Sequence, residues 1–177
     1  MVENFVLGYN VGNTMESNPY ASWWKPEEKT VADWEKAWGQ PQVTKETIQT
    51  LKAKGFNVLR LPVTWYPHIA KFSKTYTKDE DYAIDAAWMA RVKEIVKMIN
   101  DEGMYCIVNI QHDAGANNGS GDPNSAWLHA DNDYENVTKI YQAIWKQIAT
   151  ELKDFDDKVI FESFNEILNA NSSWTAP

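Results

Sequence analysis

The chain has 177 residues and a formal net charge of −8, with a pI near 4.9. That length gives one domain with a sizeable core, but a closed (β/α)8 barrel takes about 250 residues and does not fit. The negative balance argues against nucleic acid and anionic membranes as partners, and no apolar stretch reaches the roughly 20 residues of a spanning helix.

In chain order, Phe5 to Asn10 reads as a first strand. Thr44 caps a helix with Ile48 and Leu51 on its inner face, and Gly55 stops it. Phe56 to Leu61 is a second strand, ended by Pro62. Asp85 caps a long helix whose stripe is Trp88, Val92, Ile95, Val96 and Ile99, closed by Gly103. Met104 to Ile110 is a near-continuous apolar run, as in a parallel strand buried on both faces. It contains the lone cysteine, Cys106, which reads as a buried, inert thiol with no disulfide partner. A third helix carries Val137, Ile140, Tyr141, Ile144, Ile148 and Leu152, and Val159 to Phe164 forms the fourth strand. The order βαβαβαβ requires parallel strands with right-handed crossovers, in an open doubly wound sheet or in part of a closed barrel.

Helix-to-strand connections are short, around Gly55, Gly103 and 154–158. Strand-to-helix connections are long, spanning 11–43, 62–84 and 111–131. That asymmetry puts the functional face at the C-terminal ends of the strands. Seven of the nine tryptophans (Trp23, Trp24, Trp34, Trp38, Trp65, Trp127 and Trp174) fall in these loops, with only Trp88 and Trp145 in helices. Long loops need small cores of their own, which explains any one of them. Two or three lining a polysaccharide groove explains the set better, since aromatic faces stack on the C–H faces of sugars.

The fourth strand ends in Asn165-Glu166. Strand alternation gives Ile160, Glu162, Phe164 and Glu166 one direction. If that direction is a barrel interior, Glu166 stands at the upper rim as a general acid, a role that burial or a nearby carboxylate supports by raising a carboxyl pKa. Glu162 lies deeper and is expected to pair with an inward Arg60, because a buried carboxylate needs a partner. His112 and Asp113, directly after the third strand, are too few for a metal site and read as hydrogen-bonding groups for substrate or a catalytic carboxylate. His68 and His129 are ordinary loop residues, and no phosphate loop or nucleophile elbow is present.

These segments together resemble glycoside hydrolase family 5, in its endoglucanase and xyloglucanase branch. The matching stretches are 8–16 (GYNVGNTME), 37–41 (AWGQP), 55–65 (GFNVLRLPVTW), 109–113 (NIQHD) and 161–166 (FESFNE), in family order over nearly the whole chain. The resemblance implies the first half of a retaining (β/α)8 TIM barrel acting on β-1,4-linked glucans, with no cofactor or metal in the chemistry. By residue matching it implies Glu166 as acid/base, Asn165 as the ligand of the sugar next to the cleaved bond, and Arg60 as the arginine that keeps the nucleophile ionised. Substrate-binding roles are expected for Gln111, His112 and Asn13, with Trp38 and Trp127 as groove tryptophans. Gln111 stands where the family commonly has the first of two histidines, so its contact is weakened and His112 covers part of the role.

Retaining hydrolysis needs two carboxyl groups, and the family's nucleophile comes from a later strand than any in 1–177. A half barrel exposes two sheet edges and apolar interior positions, so a complementary C-terminal half-barrel chain is the expected partner, together with a β-glucan polysaccharide. A non-catalytic glucan-binding half-barrel is the competing reading. No signal peptide is visible ahead of the first strand, yet a polymer substrate is met outside the cytoplasm, so a secreted or periplasmic location is expected.

Overall fold

A computed structural model describes residues 2–114, 122–129, 131 and 133–169. Trp174 therefore lies outside the described residues. Four strands, β1 (Gly8–Asn10), β2 (Val58–Leu61), β3 (Tyr105–Asn109) and β4 (Val159–Glu162), form one parallel sheet in the order β1-β2-β3-β4. Spatial order equals chain order, with none of the reversal that defines a doubly wound sheet. Successive same-handed crossovers then put the helices on one face and leave the other as the inner wall of a barrel arc.

The helices begin and end where local chemistry sets them. α2 (Lys45–Ala53) starts at Thr44, whose hydroxyl accepts from the Thr47 N–H, and ends before Gly55 at φ +94°. α3 (Ala86–Asp101) starts at Asp85, which accepts from the Trp88 N–H, and gives way to Gly103 at φ +71°. α4 (Tyr134–Leu152) is capped by Asp133 and buries Val137, Ile140, Ala143, Ile144, Ile148 and Leu152. A short α1 (Val31–Glu35) inside the first loop was not expected, although Thr30 and Asp33 form a capping box that the sequence displays.

The pleat separates two environments. Leu59, Leu61, Cys106 and Val108 point toward the helices and are buried with Trp88, Ile95, Ile99, Ile144 and Ile148. Each fully buried aliphatic side chain contributes about 2 kcal/mol. Burial pushes the Cys106 thiol up to about 12. The opposite face carries Asn10, Arg60, Ile107 and Ile160 in one register row and Asn109 with Glu162 in the next. Ile107 and Ile160 on that face are only half-buried.

The fourth strand is shorter than its apolar run suggested. It stops at Glu162, and Phe164 is exposed. Continuing the register Asn109↔Glu162 would bring the Phe164 N–H to the Ile110 carbonyl, but the Asn165 N–H donates to it instead, at 2.8 Å. One extra residue is accommodated, as in a β-bulge.

Candidate active site

The bulge decides which way the strand tip faces. With one residue inserted, Asn165 takes the side that simple alternation assigned to Phe164, the side of Glu162. Both Asn165 and Glu162 accordingly accept from Arg60. Glu166 follows at φ +37°, off the strand altogether, so the expectation that it continues the Ile160–Glu162–Phe164 row is corrected. It is also exposed rather than enclosed.

Arg60 organises the rim. Its Nε and Nη2 fork onto the two oxygens of Glu162, both at 2.6 Å, and Nη1 donates to Asn10 Oδ1 at 3.0 Å. Nη2 also approaches Asn165 Oδ1 at 3.1 Å and Gln111 Oε1 at 3.3 Å. Nη2 has two protons for three acceptors, so the long Gln111 contact is a shared one. Gln111 Oε1 takes a better bond, 2.7 Å, from the buried amide of Asn109. The Arg60 fork holds Glu162 below the usual carboxylate range, against the partial burial that opposes it. This is the interior pair expected from the sequence, and Asn10 and Asn109 are partners the sequence reading missed. A fully buried Asn in an apolar strand was the available signal, since such a group must find hydrogen bonds.

His112 sits beside this cluster. Its ring meets Trp38 edge-on at 5.4 Å between centroids. Burial lowers its pKa, and the charge of Glu166 acts in the opposite sense. The Glu166 charge is likewise felt by Arg60. Asn13 lies exposed at the rim of β1 with φ +61°, a conformation Asn tolerates. The structure thus gathers Arg60, Gln111, Asn165 and Glu162 into one network, sets His112 against Trp38, and puts Glu166 within electrostatic reach of Arg60 and His112.

Trp127 does not belong to the groove. It is 2% exposed, and its indole N–H donates to Asp113 Oδ1 at 2.7 Å. Neither ring face is free to stack on a sugar, so the groove role is withdrawn. Asp113, expected to serve substrate or a catalytic carboxylate, is fully buried and also accepts from the Trp65 and Tyr66 N–H groups. Burial raises its pKa to about 6, and those three donors hold it back. Trp65 and Trp34 are core residues too. Among the described loop tryptophans, Trp23 is largely exposed at 70% and Trp24 and Trp38 are half-buried, so only these keep accessible ring surface.

A four-stranded arc with an Arg–Glu pair inside and an Asn-Glu tip beyond a bulge has clear relatives. Residues 16–176 match the family model for cellulases of glycosyl hydrolase family 5. The chain belongs to glycoside hydrolase family 5. Endoglucanase B of Clostridium cellulovorans is 38% identical over 168 residues, which is 94% of this chain and 31% of that protein. A broad-specificity endoglucanase from an uncultured bacterium superposes with a TM-score of 0.83 at 37% identity, over 98% of this chain and 43% of the other. A family 5 enzyme from Prevotella bryantii, solved with a xyloglucan tetradecasaccharide, gives a TM-score of 0.80 at 39% identity over 99% and 45%. The chain falls in the endoglucanase and xyloglucanase branch and spans less than half the length of each of these relatives. Its sheet corresponds to the N-terminal part of their barrel.

Proposed function

We propose that this chain supplies the acid/base side of a retaining endo-β-1,4-glucanase. The observation that carries the reading is the rim constellation, in which Arg60 is forked onto Glu162 and bonded to Asn165, with Glu166 next in sequence. Because Asn165 Oδ1 accepts from Arg60, its amide N–H2 is the end left to meet a sugar hydroxyl. Glu166 donates its proton to the glycosidic oxygen as the bond to C1 breaks, while a carboxylate from the remaining strands attacks C1. In the second step Glu166, now a carboxylate, takes a proton from the water that displaces the enzyme. The two carboxyl groups belong about 5–5.5 Å apart in such a site. Arg60 holds negative charge at the rim in its ionised form, and Gln111 and His112 extend the polar floor.

The nucleophile and the enclosure that a general acid requires come from the far wall of the cleft. The strands that complete the barrel, on this polypeptide or on a complementary one, pack against the edges of β1 and β4, where Tyr9 and Phe161 are exposed. The substrate is a β-glucan of the cellulose or xyloglucan type, the class its relatives act on, and a polymer of that size implies a secreted or periplasmic setting.

The test is a reducing-sugar assay on carboxymethylcellulose and xyloglucan. It compares the chain alone, the chain with the complementary half, and the same pair carrying Glu166→Gln. Turnover that requires both halves and disappears in the variant supports the reading. Glucan binding without turnover, with the complementary half present, overturns the catalytic role and leaves a binding half-barrel.

A further inference from the structure

The rim holds a third carboxylate, besides Glu162 and Glu166, that the mechanism does not use. Glu16 lies in the loop after β1, is 5% exposed, and belongs to neither the Arg60–Glu162 pair nor the Asn-Glu tip. Its Oε1 and Oε2 accept from the backbone N–H groups of Asn13 and Thr14. The turn it grips is tight. A Cβ on Gly12 would stand 2.8 Å from Asn10 Nδ2 and 3.3 Å from Glu16 Oε1. Asn10 is in turn the acceptor for Arg60 Nη1.

The backbone of the same residue reaches the neighbouring strands. The Glu16 carbonyl accepts from Thr64 Oγ1, and the Thr64 N–H donates to the Met15 carbonyl. Thr64 Oγ1, fully buried, also accepts from the His112 N–H at 3.3 Å. Three strand-to-helix loops, which carry Asn13, Thr64 and His112, are therefore joined through two buried side chains.

We propose that Glu16 and Thr64 form a clasp that positions Asn13 and His112 relative to each other at the rim, and so sets affinity for the glucan. Glu16 is a positioning residue, acting through the Gly12–Thr14 turn and through Thr64 without touching the reacting atoms. The affinity part rests on the site being a glucan cleft; the positioning part does not. Burial, the largest influence, raises the Glu16 pKa against the pull of the turn's N–H groups and of Arg60, and both carboxyl oxygens are engaged by that turn.

The experiment uses the full chain as wild type, Glu16→Gln, Thr64→Val and the double variant. Glu16→Gln keeps the shape but turns an N–H2 toward an N–H donor, and Thr64→Val orphans a buried carbonyl and a buried N–H. Amide resonances and hydrogen exchange are followed at Asn13, Thr14 and His112, and cellotetraose affinity is titrated alongside. Glu16→Gln should shift the His112 amide and Thr64→Val those of Asn13 and Thr14. Each variant should weaken cellotetraose about tenfold, and the double should weaken it by less than the product. Gly12→Ala, which strains the same turn from within, provides the decision if either variant fails to fold; it too should move the His112 amide. Shifts confined to each variant's own loop, or independent additive effects, overturn the clasp, even if thermal midpoints fall. A wild type that binds no cellotetraose either alone or with the complementary half sinks the glucan reading, and the amide cross-effects still judge the clasp.

Discussion

The guanidinium of Arg60 donates to Glu162, Asn10, Gln111 and Asn165, a set only a planar fork can serve. Arg60→Lys retains the charge but loses the two-pronged bond and the hold on Asn165. If the chain works with the complementary half as proposed, turnover should fall by on the order of a hundredfold with unchanged far-ultraviolet circular dichroism; turnover within twofold of wild type would remove Arg60 from the site's organisation. Asp113 works differently, as a buried acceptor for three N–H groups from residues 65, 66 and 127. Asp113→Ala leaves all three unsatisfied, and urea unfolding should show a loss of about 3 kcal/mol or more. A loss confined to catalysis with full stability would return Asp113 to the site.

At the level of elements, the first loop is tied to the scaffold by an ion pair. Glu35, in α1 and fully buried, accepts from Arg91 Nε and Nη2 on α3, both at 2.9 Å, and from the Val43 N–H. Arg91 Nη2 also donates to the Val43 carbonyl. This joins the loop that bears Trp38 to the outer helix layer. Arg91→Ala strands a buried carboxylate and should cost about 3–5 kcal/mol, read by chemical denaturation. Glu35→Leu with Arg91→Met should recover much of that loss. A double variant as unstable as Arg91→Ala would show that the pair contributes more than its mutual compensation.

For the whole molecule, the buried aromatic ladder sets a pH sensitivity. Trp23, Trp24, Trp34, His68 and Trp88 succeed one another from the surface to α3, with His68 stacked on Trp88 at 3.5 Å and its Nε2 unpartnered. Burial lowers the His68 pKa to about 3 from 6.5. The unfolded chain therefore takes up a proton below pH 6.5 that the folded chain refuses until about pH 3, and stability is lost as pH falls through that window. Asp113 has the opposite sign, since its rise from 3.8 to about 6 makes the folded state the stronger proton binder between those values. The difference between wild type and His68→Phe isolates the histidine. On going from pH 7.5 to 5 it should change by about 2 kcal/mol in the variant's favour, and a pH-independent difference would show that His68 is protonated in place.

The sequence by itself determined the alternation of strands and helices, the stops at Gly55 and Gly103, the side from which long loops emerge, and the family. Apolar period, capping side chains and glycine at positive φ act within a few residues and are written along the chain. It also revealed the Arg60–Glu162 pair, because period two puts both on one face and a half-buried carboxylate needs a cation. Tertiary structure alone decided the rest. Trp127 became core because Asp113, 14 residues away, captured its N–H. Asn165 turned toward Arg60, 105 residues distant, because a bulge against Ile110 broke the alternation. Glu16 gained its reach because Thr64, 48 residues on, meets its carbonyl. A loop side chain faces whichever buried donor or acceptor must be satisfied, and that partner lies beyond the few residues over which local pattern carries information.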